Sequence, residues 1–274
     1  MNKNLRIVYL LFIISFHSFS QSGKLEKGKK SLKTTNSTKS SSKRTTSVSR
    51  NSNNNIQNPF IKILSYVAAY TVYGIAFETP FEFNGRMHDA EIAHFPYENS
   101  AHGNFIYTNK TDYSIARFDV YNRFLIENKN LYGNQIGVDF RFFKRFSMDV
   151  NYVSFVEKIN GNKDSFNMYA ALLKYHRIRT QKLDMWFGLG ATHVANNVDK
   201  TGFTFGVGAE WFIAKPISLL LSHKATSINN NSINDTKVLL KYHLKNYRIS
   251  TGYENYKLGD SKINTFSIGV EASF

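Results

Sequence analysis

Residues 113–274 alternate between apolar and polar side chains with a period of two. Ala116, Phe118, Val120, Phe124 and Ile126 are interleaved with Arg117, Asp119, Tyr121, Arg123 and Glu127. The pattern repeats in Tyr132–Phe142, Phe146–Tyr152, Tyr169–His176, Leu183–Thr192 and Phe203–Ile213, then in Ile217–Lys224, Lys237–Leu244, Tyr247–Glu254 and Thr265–Phe274. Successive side chains of a strand point to opposite faces, so a helix cannot produce this period. The expectation is an all-β fold of about ten antiparallel strands, with twelve or eight as alternatives.

The polar positions decide what kind of β-fold this is. They hold Arg117, Arg123, Arg141, Lys174, Lys224, Lys237, Lys241 and Arg248 beside Asp119, Asp139, Asp149, Asp184, Glu210, Glu254 and Glu271, nearly balanced in charge. A soluble sandwich packs its apolar faces together. A transmembrane barrel turns them to lipid, pairs its charges inside and leaves no unpaired edge. Segments of roughly 10–13 residues suit a tilted membrane-crossing strand. The fifteen charged residues are therefore expected to form an ion-pair network in the lumen. The turns divide into Lys144-Arg145, Arg179–Lys182, Lys215-Pro216 and Lys245-Asn246 on one side, and Asn128–Asn130, Ile159–Asp164, Asn196–Thr201, Asn229–Ser232 and Leu258–Lys262 on the other. Short turns face the periplasm in such barrels and longer loops face out. Phe142, Phe146, Tyr175, Trp211, Tyr242, Tyr247 and Phe274 then make an interfacial girdle at the periplasmic end.

The last strand carries Phe266, Ile268, Val270, Ala272 and Phe274 at alternate positions and ends on an aromatic. It resembles the C-terminal assembly signal of bacterial outer-membrane barrels, and residues 113–274 resemble small barrels of the OmpA/OmpX type. The resemblance implies insertion by the outer-membrane assembly machinery of a Gram-negative cell. It is architectural and transfers no functional residue.

The N-terminal part has a different composition. Lys3 and Arg6 precede the apolar run Ile7–Phe16, and Ser18 and Ser20 are small residues before Gln21; this is the pattern of an export signal over residues 1–20. Nine of the basic residues fall within 21–50, where Glu26 is the only acid, so much of the net charge of +15 belongs to a tail rather than to a folded face. That weakens a nucleic-acid reading, which asks for a basic stripe on a domain, and no nucleic-acid partner is expected. Residues 21–58, rich in Ser, Thr, Asn and Lys, read as a disordered periplasmic tether. It could also meet cell-wall polymer or anionic lipid. The chain has no Cys, which excludes disulfides, Cys–zinc sites and a thiol nucleophile.

Residues 59–112 form a plug or rim segment. Ile63–Phe77 carries no charge and reads as a helix at the rim, or as strand if its β-branched content dominates. His88, Glu91 and His94 are metal-capable, but their i, i+3, i+6 spacing lacks the His-x-x-x-His of a zincin. Neither a metal nor a cofactor is expected. His193 and His223 fall on the apolar face, where a lipid A deacylase would keep a His and a Ser, yet their i+2 neighbours are Ala195 and Ala225, and Ser227 lies about 13 Å along the strand from His223. The expectation is a non-enzymatic outer-membrane barrel of structural or envelope-associated role in contact with outer-membrane lipid. A lipid-modifying hydrolase and a narrow channel are the alternatives.

Overall fold

A computed structural model describes residues 23–33, 89–98, 101–107, 113–229 and 231–274. In chain order the elements are α1 (Lys24–Lys33), the short strands β1 (Glu91–Ile92) and β2 (Phe105–Ile106), then β3 (Ala116–Ile126), β4 (Leu131–Phe142), β5 (Phe146–Ile159), β6 (Asn162–Arg179), β7 (Leu183–Val194), β8 (Lys200–Ala214), β9 (Ile217–Ile228), β10 (Asn231–Leu244), β11 (Tyr247–Leu258) and β12 (Ser261–Ser273). β3 to β12 close into one antiparallel barrel of ten strands, each beside its sequence neighbour. The seam between β12 and β3 is locked at the C-terminus, where Phe118 and Phe274 exchange backbone N–H···O bonds of 3.0 and 2.9 Å.

The connections depart from the expected asymmetry. Those at both ends are two to five residues long. Asn160-Gly161 shows how tight they are: both residues have positive φ (48° and 83°), which matches the right-handed twist of the β5–β6 hairpin.

In the half of the barrel nearest the strand termini, alternation works as the sequence suggests. Phe118, Phe205 and Val270 face outward, 46%, 44% and 63% exposed, while Arg117 and Asp184 are 1% exposed inside. An apolar band this continuous has no place in water. Four or five outward residues per strand, at ~3.3 Å per residue and a tilt of about 40°, give a band roughly 20–25 Å tall, enough for the hydrocarbon of an outer membrane. The fold is a transmembrane β-barrel. Phe146, Trp211, Tyr242, Tyr247 and Phe274 ring its lower edge.

In the far half the period persists but the chemistry of the two faces is exchanged. Inward positions become apolar: Leu125, Val153, Phe155, Phe166, Val194, Ile228, Leu258 and Ile263 are fully or almost fully buried in one cluster. Outward positions become largely polar, with Phe124, Ile126 and Tyr132 on β3–β4 as exceptions. The change is marked by one hydrogen-bonded pair across each far-end hairpin: Asn122–Asn134 at 3.1 Å, Ser154–Asn167 at 2.8 Å, His193–Thr201 at 3.0 Å, His223–Thr236 at 2.8 Å, and Asn255–Asn264. The strands rise beyond the hydrocarbon and continue as a water-facing barrel with an oily centre.

Part of the segment expected to be a disordered tether is ordered. α1 lies across the far mouth, with Leu25 and Leu32 completely buried in the apolar cluster. Isolated, a ten-residue helix containing Gly28 is marginal, so docking is what holds it. Gly28 sits so close to the wall that an added Cβ would be 3.1 Å from Leu258 Cβ. The export signal, the remainder of the tether, Ile63–Phe77 and His88 lie outside the described residues.

Candidate functional site: a doubly capped lumen

The fifteen charged residues of the alternating polar face each take part in an ion pair. Arg248 reaches Asp119 at 2.9 Å and Glu271 at 3.1 Å. Arg123 reaches Glu271 at 3.1 Å and Glu254 at 3.3 Å. Arg117 pairs with Asp119 at 2.9 Å and Arg141 with Asp184 at 2.8 Å. Lys174 meets Asp139 at 2.9 Å, Lys224 meets Asp149 at 2.5 Å and Lys237 meets Glu254 at 3.1 Å. Lys241 spans Glu271 at 3.0 Å and Glu210 at 3.6 Å. Most members have two opposite charges, so the network links all sides of the barrel. Burying charges at this depth is tolerated only where each has an opposite partner.

Several members escaped the sequence reading. Asp235 joins Lys237 at 3.3 Å; it shares the face of Lys237, two residues upstream of where the alternation was read to begin. Trp186 also points inward, and Lys174 lies 5.0 Å from its ring centroid. Gly208 makes that possible, because an added Cβ would stand 2.5 Å from the indole. The space left among these side chains is about 80 Å³, room for a few waters and not for a solute.

The network is capped at both mouths. At the terminal end, residues from 89–98 and 101–107 enter the barrel. Asn104 donates to Asp184 (2.8 Å) and Glu210 (3.3 Å) and accepts from Arg117 (2.8 Å). Tyr97 donates to the Ile217 carbonyl at 2.6 Å, and burial with the nearby Glu210 carboxylate pushes its phenol up to about 12. At the far end, the Glu157 carboxylate accepts from the backbone N–H groups of Gly23, Lys24 and Leu25 (3.1, 3.2 and 2.9 Å), satisfying the open N-terminus of α1. Lys24 pairs with Glu127 at 2.7 Å and Lys29 with Asp164. Asn229 donates to the Leu32 carbonyl at 2.7 Å, closing the other helix end.

Of the metal-capable residues His88 lies outside the described residues, and Glu91 and His94 do not meet. Glu91 pairs with Lys144 and His94 with Glu98, while His102 is exposed. No cluster able to hold a metal occurs among the described residues. His193 and His223 each meet a threonine hydroxyl across their hairpin and belong to the polar belt, beside amide pairs that do the same job. A Ser–His–Asp hydrogen-bond chain does occur, in the lumen: His176 Nε2 lies 3.0 Å from Ser147 Oγ and its Nδ1 2.6 Å from Asp184. Ser147 and His176 are 0% and 1% exposed, Asp184 is also held by Arg141 and Asn104, and the Phe105 ring covers the imidazole at 6.3 Å. A nucleophile needs an approach for its substrate, and this packing provides none.

No protein-family model matches the chain, and no curated protein matches it. Several solved structures are similar to it at low identity. The KdgM porin is 14% identical over 58% of this chain and 99% of its own, with a TM-score of 0.36. The outer membrane protein Ail of Yersinia pestis, in a phospholipid bilayer nanodisc, is 15% identical over 58% of this chain and 98% of its own (TM-score 0.33). An outer membrane channel from Pseudomonas putida F1 is 7% identical over 61% of this chain and all of its own (TM-score 0.39). At these values the likeness carries neither a residue nor an activity to this chain.

Proposed function

We propose that this chain is an integral protein of a Gram-negative outer membrane whose barrel is a sealed, non-conducting and non-enzymatic element of the envelope. The observation that carries this reading is the continuous ion-pair layer across the lumen, closed below by residues of 89–98 and 101–107 and above by the apolar cluster and α1. A pore needs a wetted path, and a receptor needs loops with recognition surface; here the connections are two to five residues long. In this reading the barrel termini face the periplasm, the assembly machinery recognises the strand ending in Phe274, and α1 plugs the opposite, outer mouth. Purified protein reconstituted in planar bilayers is expected to show no conductance steps at any voltage. Steps of defined size would favour the channel reading instead, and altered lipid acylation on overexpression would favour the hydrolase.

A further inference from the structure

In this barrel, residues of like charge often stand directly opposite each other on neighbouring strands, an arrangement that repels. Inside, each such pair has its counter-charge. Arg117 opposite Arg141 is neutralised by Asp119 and Asp184; Asp139, opposite both Asp119 and Asp149, by Lys174. Asp184 opposite Glu210 is served by Arg141 and Lys241. Glu157 opposite Asp164 receives the N-terminus of α1 and Lys29.

Two pairs break the rule, and both are on the outer wall. Lys158 stands opposite Lys163 on the β5–β6 hairpin, and Lys257 opposite Lys262 on β11–β12. Lys158, Lys163 and Lys262 are exposed and Lys257 is half-buried. Among the described residues none of the four has a carboxylate partner. The two hairpins flank β3–β4, whose loop carries the exposed Lys129. The Asn255–Asn264 amides lie one outward step below Lys257/Lys262, whereas on β3–β4 Ile126 and Tyr132 stand outward above Asn122–Asn134 and the Tyr132 ring lies 5.6 Å from the Lys158 ammonium; in the outer-membrane reading the lysines then stand at headgroup height.

We propose that this wall binds a phosphorylated glycolipid of the outer leaflet. The paired ammoniums of Lys158/Lys163 and Lys257/Lys262 share its phosphates, and the amides of Asn255 and Asn264 meet its sugar hydroxyls. An anion between two lysines turns a repulsive pair into an attractive one, as α1 does for Glu157 and Asp164 inside. The proposal rests on the outer-membrane reading above.

The test uses the full chain refolded into phosphatidylcholine vesicles. These are prepared alone, with a bisphosphorylated acylated glucosamine disaccharide, with its dephosphorylated counterpart, or with free inorganic phosphate. The barrel's unfolding temperature is read from heat-modifiable gel mobility. The wild type is expected to gain several degrees with the bisphosphorylated lipid alone. The variant Lys158→Gln/Lys163→Gln/Lys257→Gln/Lys262→Gln should start higher in plain phosphatidylcholine, because repulsion is gone, and gain nothing further. Should it not assemble, the two double variants, each lacking one pair, are expected to lose part of the gain. Lys182→Gln/Lys245→Gln, at the other rim, should behave as wild type. An undiminished gain in the lysine variants, an equal gain with the dephosphorylated lipid or with free phosphate, or no gain in the wild type overturns the proposal. A wild-type chain that forms no barrel in any vesicle overturns the membrane reading itself.

Discussion

The lumen derives its order from side chains that share partners. Arg248 serves Asp119 and Glu271, each of which has a second cation. Replacing Arg248 with Met leaves two buried carboxylates short of charge and is expected to cost about 3 kcal/mol in a denaturant titration of the refolded barrel. Adding Asp119→Asn should cost less than the sum of the single changes, since the two residues share one interaction. The serine chain gives a second expectation. A fluorophosphonate probe should leave Ser147 unmodified in the folded barrel; labelling abolished by His176→Asn would instead make it a nucleophile. These residues were partly legible in the sequence. Parity alone put fifteen charges on one face, because a strand's period is fixed by its backbone. Parity also places Trp186 inside, but a tryptophan reads as a lipid-facing or girdle residue until Gly206 and Gly208 are seen to lie beneath it.

At the level of single elements, the outer halves of the strands were the hardest to read. β6 runs from Asn162, and β12 from Ser261, well before the alternation looks regular. The period does not fail there; the solvent changes. Above the belt the outside is water and the inside is oil, so Phe155, Phe166 and Tyr256 point inward where the lower half places Asp149 and Arg248. A reading that assigns one chemistry to one face ends at that boundary. The helix was invisible for a related reason. Its sequence has two leucines among lysines, and only the ready-made mouth, with Glu127, Glu157, Asp164 and an apolar floor, makes it worth ordering. Leu25→Ala/Leu32→Ala should therefore release the helix while leaving the strands intact. Limited proteolysis should then cut after Lys27 or Lys30, with heat-modifiable mobility unchanged. The helix also fixes a side. If the barrel termini face the periplasm, α1 is at the cell surface, opposite to where a periplasmic tether would begin. A cysteine replacing the exposed Lys27 is then expected to react with a membrane-impermeant maleimide on intact cells; labelling only after lysis would turn the barrel over or undock the helix.

Taken as a whole, the molecule is a membrane barrel below the belt and a water-facing barrel above it, and its lumen is blocked twice by unrelated means. The upper block is apolar and detachable in principle, because α1 enters from the end of a long polar segment. The lower block is part of the wall: Arg, Lys, Asp and Glu from all ten strands meet across the axis. This distinction predicts what removal of the helix does. Deleting residues 23–33 exposes Phe155, Val194 and Ile263 to water and should lower the unfolding temperature of the refolded barrel, yet the ion-pair layer below is untouched. Planar-bilayer recordings of that variant are expected to stay silent in salt, because a lumen residue leaving its partner would expose two buried charges at a cost of several kcal/mol. Stepwise currents after the deletion would mean that the helix is the seal, and that the charged layer yields to hydrated ions as a selectivity ring does. Silence there, with currents appearing only when Arg123 and Arg248 are both replaced by Met, would locate the barrier in the layer that the sequence's alternation had placed inside.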